Sequence, residues 1–143
     1  IGATAAYGFA LGLRDGADDA AMETIRSTLL ATRPTAVNLR WALDRMQAAV
    51  ATLPPSDRYA AALAEAGRIC DEDTQVNESI GSHGLSILRG WTAARRPDQP
   101  LQILTHCNAG WLATVDWGTA LAPIYKAREA GLPVHVWVWP GLN

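Results

Sequence analysis

The sequence predicts a mainly α fold: an N-terminal helical bundle followed by one βαβ unit that opens an α/β segment. Alanine-rich stretches carry Leu, Ile, Val and Met at helical spacing as far as Trp91. A polar, proline-bounded linker follows at Thr92–Pro100. Beyond it, the short apolar runs Leu101–His106 and Val134–Trp139 flank a helical stretch. That strand–helix–strand order is the signature of a parallel crossover. The expected division is 1–97 for the bundle and 98–143 for the α/β segment. A two-stranded parallel sheet leaves faces and edges to cover, so completion as a homodimer is expected.

The first helix runs over Ile1–Arg14, where Gly2, Gly8 and Gly12 permit close packing between larger apolar residues. Asp15-Gly16 breaks it. Asp18 and Asp19 open a second helix through Ala31, with Met22, Ile25, Leu29 and Leu30 on one face. Arg33-Pro34 ends that element, because a residue before proline is pushed out of the helical region. Thr35 is placed to cap a third helix reaching about Leu53, with Val37, Trp41, Leu43, Met46 and Val50 on its apolar side. Pro54-Pro55 stops it and Ser56 is placed to cap a fourth, Ala60–Ile69 and on towards Asp73. Asp71-Glu72-Asp73 reads as a solvated face. A fifth helix runs from Asn77 to about Trp91. After the linker and first strand, Asp116–Ala130 reads as helical, with Gly131 as its C-cap. Val134–Trp139 has no charge and reads as a buried strand.

Several function classes are excluded by composition. Of 143 residues, 49% are hydrophobic and 18% charged, which is a folded composition. The net charge is −2 with no basic block, so a nucleic-acid partner is not expected. No apolar run is long enough to span a bilayer, and no secretory pattern opens the sequence. Two cysteines without paired spacing fit a reducing, cytoplasmic setting. Ile1 in place of Met, and an end just after a strand-like run, read as the ends of a piece of something longer.

Candidate chemistry gathers at Thr105-His106-Cys107-Asn108-Ala109-Gly110. In α/β sheets ligands bind beyond the carboxyl ends of strands. Thr105, Asn108 and Gly110 are substrate-binding candidates there, with Gly110 permitting an unusual backbone. Cys107 reads either as a reactive thiol or as a small buried structural residue. His106 and Cys107 are expected side by side on a strand, facing opposite ways. His83 and His106 are the candidate acid–base partners, and His135 reads as structural. Arg33, at a break between helices, could grip a phosphate with its planar fork. No ligand pair has zinc-finger or HExxH spacing, so a zinc site would need ligands meeting across a dimer.

Three motifs, "TRPTAVNLRWALDRM" (Thr32–Met46), "NESIGSHG" (Asn77–Gly84) and "ILTHCNAGWLATVDWGTALAPIYKAREAG" (Ile103–Gly131), occur in one order. Together they resemble the S-methyl-5-thioribose-1-phosphate isomerases of methionine salvage. That family is related to regulatory subunits of a translation-initiation-factor exchange complex. The resemblance spans Ile1 to about Val138 and implies a helical domain on a Rossmann-like domain, of which this sequence holds a truncated start. It implies a dimeric, cofactor-free enzyme that converts an aldose 1-phosphate to a ketose 1-phosphate. It implies Cys107 as one acid–base group, Arg33 as a phosphate contact, and Asn108 and Gly110 as the loop after the cysteine. An Arg-Gly-Ala-Pro stretch would precede Ile1, and a partner aspartate would follow Asn143. Efficient isomerase activity is therefore not expected of these residues by themselves. Three functions stay open: a sugar-phosphate isomerase segment; a hydrolase of esters, amides or phosphoesters using Cys107 or a Cys/His-bound metal; and a non-catalytic dimeric binding module.

Overall fold

The computed structural model describes residues 1–96, 99–107 and 109–139. In order, they form α1 (Gly2–Gly12), α2 (Asp19–Thr32), α3 (Val37–Val50), α4 (Pro55–Ala93), β1 (Leu101–His106), α5 (Ala122–Glu129) and β2 (Val134–Trp139). Among the described residues the fold is mainly α with one βαβ unit. The chain divides into two compact units, Ile1–Glu72 and Asp73–Asn143. The division falls inside α4, whereas the sequence places the change of texture at the linker.

In unit 1, Ala5, Ala6, Phe9, Ala10 and Leu13 of the α1 region share a core with Leu39, Ala42, Leu43, Met46 and Val50. Ala62, Ala66 and Ile69 of α4 complete it. Small residues on α1 bring backbones close: a Cβ on Gly2 would sit 3.1 Å from the Asn38 carbonyl oxygen. The Asp18 carboxylate accepts from the Ala21 N–H at 2.8 Å and caps α2. Thr35 does not cap α3. A turn closed by Ala36 N–H to Arg33 O at 3.0 Å makes Ala36 the N-cap, with no side-chain cap bond. Ser56 is likewise no cap: α4 starts at Pro55, whose fixed φ suits a first helical position, and Ser56 donates to Asp57.

The acidic run is more than a solvated face. Glu72 receives two hydrogen bonds from Arg45, whose Nε reaches the buried Glu65. Arg68 closes on Glu65 from the next turn. Burial pushes the Glu65 carboxyl up, but the hydrogen bonds from Arg68 and Arg45 outweigh it and hold it below the usual carboxylate value.

The two helices expected on either side of residues 74–76 are one 39-residue helix, α4. Nothing between Asp73 and Asn77 breaks a helix: there is no proline or glycine, and polarity alone does not end one. Within unit 2, β1 and β2 pair in parallel, Leu101 opposite Val134 through His106 opposite Trp139. Leu88, Leu101 and Ala127 are buried together, with Leu85, Ile103, Leu132 and Val134 packed around them. Gly131, at φ 72°, ends α5. Its N–H donates to Arg128 O at 3.0 Å and the Leu132 N–H to Ala127 O at 2.9 Å, the Schellman pattern that turns the chain into β2.

Two expectations fail here. The helix expected from Asp116 begins at Ala122, because residues 116–118 are taken up by a left-handed turn. The strand expected to be buried is largely exposed: Trp137, Val138 and Trp139 all face solvent in unit 2. Only the alternate positions Val134 and Val136 are partly covered, since one face of β2 has no described layer over it. Among the described residues, no helix is long and apolar enough to cross a membrane.

Candidate active site

The parallel pairing of β1 carries the chain to His106, and the next residue leaves the strand. Cys107 has φ 71°, the left-handed region that non-glycine residues seldom occupy. The expectation that His106 and Cys107 share a strand is thereby corrected. Cys107 is exposed, so the reading as a buried structural cysteine fails as well. It stands just past the carboxyl end of a parallel strand, where α/β sheets present ligand-binding groups.

In the loop that follows, Ala109 and Gly110 are closely approached by other residues. Gly110 does not have positive φ; what it supplies is space. A Cβ there would lie 2.9 Å from Leu121 Cδ1 and 3.3 Å from the Tyr125 hydroxyl. Trp111 stacks on Tyr125 with ring centroids 4.8 Å apart, which ties the loop to α5. Ten residues after Cys107, Trp117 and Gly118 are both left-handed, at φ 63° and 71°. A Cβ on Gly118 would meet the Ala109 carbonyl oxygen at 2.6 Å and Gly110 Cα at 2.7 Å. The turn at 116–118 is thus pressed backbone to backbone onto Ala109 and Gly110.

That turn is heavily pinned. The Trp117 N–H donates to Asp116 Oδ1 at 2.7 Å. The Gly118 N–H donates to Thr114 Oγ1 at 3.0 Å, and Thr114 Oγ1 donates to the Asp116 carbonyl at 2.9 Å. The Val115 N–H donates to Asp73 Oδ2 of α4 at 2.9 Å. Lys126 Nζ lies 4.3 Å from the centroid of the Trp117 ring and 3.1 Å from Glu78 Oε1.

The glycines of "NESIGSHG" explain how α5 comes so close to α4. A Cβ on Gly84 would sit 2.4 Å from Pro123 Cγ, and one on Gly81 would sit 3.0 Å from Lys126 Cδ and 3.1 Å from the Ala122 carbonyl. Asn77, the first residue of the motif, is buried. Its Nδ2 donates to the Asp73 carbonyl at 2.8 Å, while Oδ1 has no donor among the described residues.

The predicted site residues are only partly gathered. Thr105, His106, Cys107 and Gly110 share the end of β1 and its loop. His83 is exposed on α4, with Nδ1 2.8 Å from the Ser79 carbonyl one turn back. His135 is exposed on β2 and edges onto Trp137. No hydrogen bond joins a histidine to Cys107 among the described residues. No group of three or more His, Cys, Asp or Glu side chains among them is arranged to hold a metal ion. Arg33 belongs to unit 1, as the exposed C-cap of α2; its guanidinium has no ion pair or hydrogen bond among the described residues. Asn108, and the tail from Pro140 to Asn143, lie outside the described residues.

The sequence reading did not single out Asp73, Thr114, Trp117, Gly118 or Lys126. The Asp116-Trp117-Gly118 run was the available signal, because an Asp ahead of a Gly favours a turn over a helix start.

The comparisons with known proteins agree over almost the whole chain. The chain is 58% identical over 142 residues to a methylthioribose-1-phosphate isomerase of Rhodospirillum rubrum, which covers 96% of this chain and 36% of that protein. It is 60% identical over 138 residues to the protein of the same name from Acidiphilium cryptum, covering 96% and 37%. The chain therefore spans little more than a third of the length of these relatives. Among solved structures, 5-methylthioribose 1-phosphate isomerase from Pyrococcus horikoshii OT3 matches with TM-score 0.75 and 32% identity, covering 95% of this chain and 38% of that one. The translation initiation factor eIF-2B, subunit delta, from A. fulgidus matches with TM-score 0.72 and 33% identity, covering 96% and 40%. The Initiation factor 2 subunit family matches residues 1–141, and the chain belongs to that family.

Proposed function

We propose that these residues form the helical and cysteine-bearing part of an aldose–ketose isomerase acting on methylthioribose 1-phosphate. The observation that carries the proposal is the 58% identity to a protein of that name across 96% of the chain. An exposed Cys107 at the end of a parallel strand supports it.

The chemistry is a net isomerisation and needs no oxidant or reductant. The ring oxygen takes a proton as its bond to C1 breaks. The proton on C2 is removed and one is delivered to C1, and the C2 hydroxyl loses its proton to become the carbonyl. Two acid–base groups are required. Cys107 is proposed as one of them, and Arg33 as a contact to the substrate phosphate, suited by its planar fork. The second acid–base group is not assigned to any described residue.

The test is protection. Methylthioribose 1-phosphate is added to the chain while Cys107 is alkylated with iodoacetamide and followed by peptide mass spectrometry. Slowing of Cys107 alkylation by the ligand, abolished in Arg33→Ala, is the expected result. No protection at saturating ligand would defeat the proposal. A second reading, a non-catalytic subunit, is favoured by the likeness to the A. fulgidus protein. It predicts that the ligand protects nothing and that Cys107→Ser leaves partner binding intact.

A further inference from the structure

We infer that the left-handed turn Trp117-Gly118 is a positioning element for Cys107, acting through direct support of the Ala109–Gly110 backbone. The inference deepens the proposed function and rests on it for the meaning of Cys107, but its geometry stands independently.

A tryptophan with φ 63° is a backbone outlier. Such a residue persists only where its surroundings over-determine it. The surroundings do so here. Asp116 Oδ1 holds the Trp117 N–H, Thr114 Oγ1 holds the Gly118 N–H, and Lys126 sits over the indole. Asp73 anchors the start of the turn from α4. The Gly118 N–H also donates to the Asp116 carbonyl at 2.7 Å, which closes the turn around Trp117.

The consequence of the strain is local and specific. Trp117 in the left-handed region delivers Gly118 flat against the Ala109 carbonyl and Gly110 Cα, where even a methyl group would lie 2.6–2.8 Å from backbone atoms. Backbone atoms cannot step aside as a flexible side chain can. Ala109 and Gly110 stand two and three residues from Cys107, which is itself left-handed. Displacing that pair therefore alters the path of the chain out of Cys107. The glycine is required twice over, by its φ and by its neighbour, and the two requirements can be separated.

Asparagine tolerates the left-handed region better than alanine, yet both carry a Cβ. If Gly118 acts by contact, Gly118→Ala and Gly118→Asn disturb Cys107 alike. If it acts only through its own φ, Gly118→Asn behaves like the parent. The measurement is the rate of Cys107 alkylation by iodoacetamide in the full chain, read by peptide mass spectrometry. Cys70, which lies in unit 1, serves as the internal reference.

The expected result is a change of roughly threefold or more at Cys107 in both variants, with Cys70 unchanged, because thiol reactivity follows its immediate surroundings. A parent-like rate at Cys107 in Gly118→Asn overturns the inference, as does an equal change at both cysteines, which would report general loosening. Should the Gly118 variants fail to fold, Trp117→Gly decides. It adds no atom and removes the φ cost, but frees the turn from Lys126. A rate at Cys107 within experimental error of the parent would then overturn the inference. Loss of the proposed function would look different: ligand protection would be absent in the parent chain while the Gly118 effects on Cys107 remained.

Discussion

Gly84 offers a sharp test of how the second unit is packed. A Cβ placed there would lie 2.4 Å from Pro123 Cγ and 2.5 Å from Pro123 Cβ. Non-bonded carbons prefer about 3.5–4.0 Å, so α4 and α5 must part locally by about 1 Å. The proline ring has no rotamer by which to retreat. Over-packing of this kind costs about 3 kcal/mol, at the upper end of the usual range. The helix-propensity gain of Gly→Ala offsets about 1 kcal/mol, leaving Gly84→Ala destabilised by about 2 kcal/mol. Gly90 supplies the control, because it lies on the same helix in the same unit and a Cβ there meets nothing within 4 Å. Gly90→Ala keeps only the propensity term and is stabilised by about 0.5–1 kcal/mol. Urea unfolding followed by far-ultraviolet circular dichroism reads both. With a slope of about 2 kcal/mol/M, the midpoint falls by about 1 M for Gly84→Ala and rises by a few tenths molar for Gly90→Ala. A Gly84→Ala protein as stable as Gly90→Ala would refute the close α4–α5 contact and with it the reason for the glycines in "NESIGSHG".

Other expectations concern unit 1. Because the folded-state value of Glu65 is depressed, its contribution is present above the ordinary carboxylate value of 4.5 and is lost as pH falls through the lower folded value. Glu65→Gln should flatten the acid side of the stability–pH curve below about pH 4.5; an unchanged acid slope would mean that Arg45 and Arg68 do not hold this carboxylate. Phe9 is fully buried against α3, and Phe9→Ala should cost about 3–5 kcal/mol in urea unfolding. A loss below about 1 kcal/mol would show that the α1–α3 core closes over the cavity.

How far the sequence was readable depended on whether the deciding interaction was local. The bounds of β1 follow from a short apolar run and those of β2 from a β-branched and aromatic one, and both strands are where the pattern puts them. The Asp18 cap and the Gly131 helix end use bonds that span three to five positions, and both are legible. The continuity of α4 is not legible from polarity, because a polar stretch without a breaking residue looks like a gap between two helices. The partners of Glu72 and Asp73 come from Arg45 and Val115, 27 and 42 positions away, which no spacing rule supplies. At the site, the motif marked Cys107, but its left-handed backbone does not follow from its own residue type. Gly110 looked like the residue with the unusual conformation; in the fold Cys107, Trp117 and Gly118 have it, and Gly110 only makes room.

The two units reach order by different means, and this bears on what Cys107 can do. Unit 1 has a closed core in which Phe9, Leu13, Leu43, Met46 and Val50 are fully buried. Unit 2 buries little: Leu88, Leu101 and Ala127 form its centre, while Leu104 is 72% exposed and Trp137 57% exposed on the sheet. Apolar packing of that extent does not fix a loop. The order of the segment that follows Cys107 rests instead on short-range devices: the Schellman end of α5, the Trp111–Tyr125 stack, and the pinned turn at Asp116–Gly118. Each is made of residues within about 25 positions of Cys107, with Asp73 and Glu78 of α4 as more distant anchors. A site built this way keeps its backbone geometry even where the surrounding sheet is open. It also concentrates its vulnerability in a few backbone contacts. On the proposed function, acid–base work at carbon requires the thiol to be held within a fraction of an ångström, and misplacement of about 1 Å can cost a hundredfold in rate. The residues that govern Cys107 are for that reason to be sought in the turn pressed against its loop, before the histidines nearest to it in sequence.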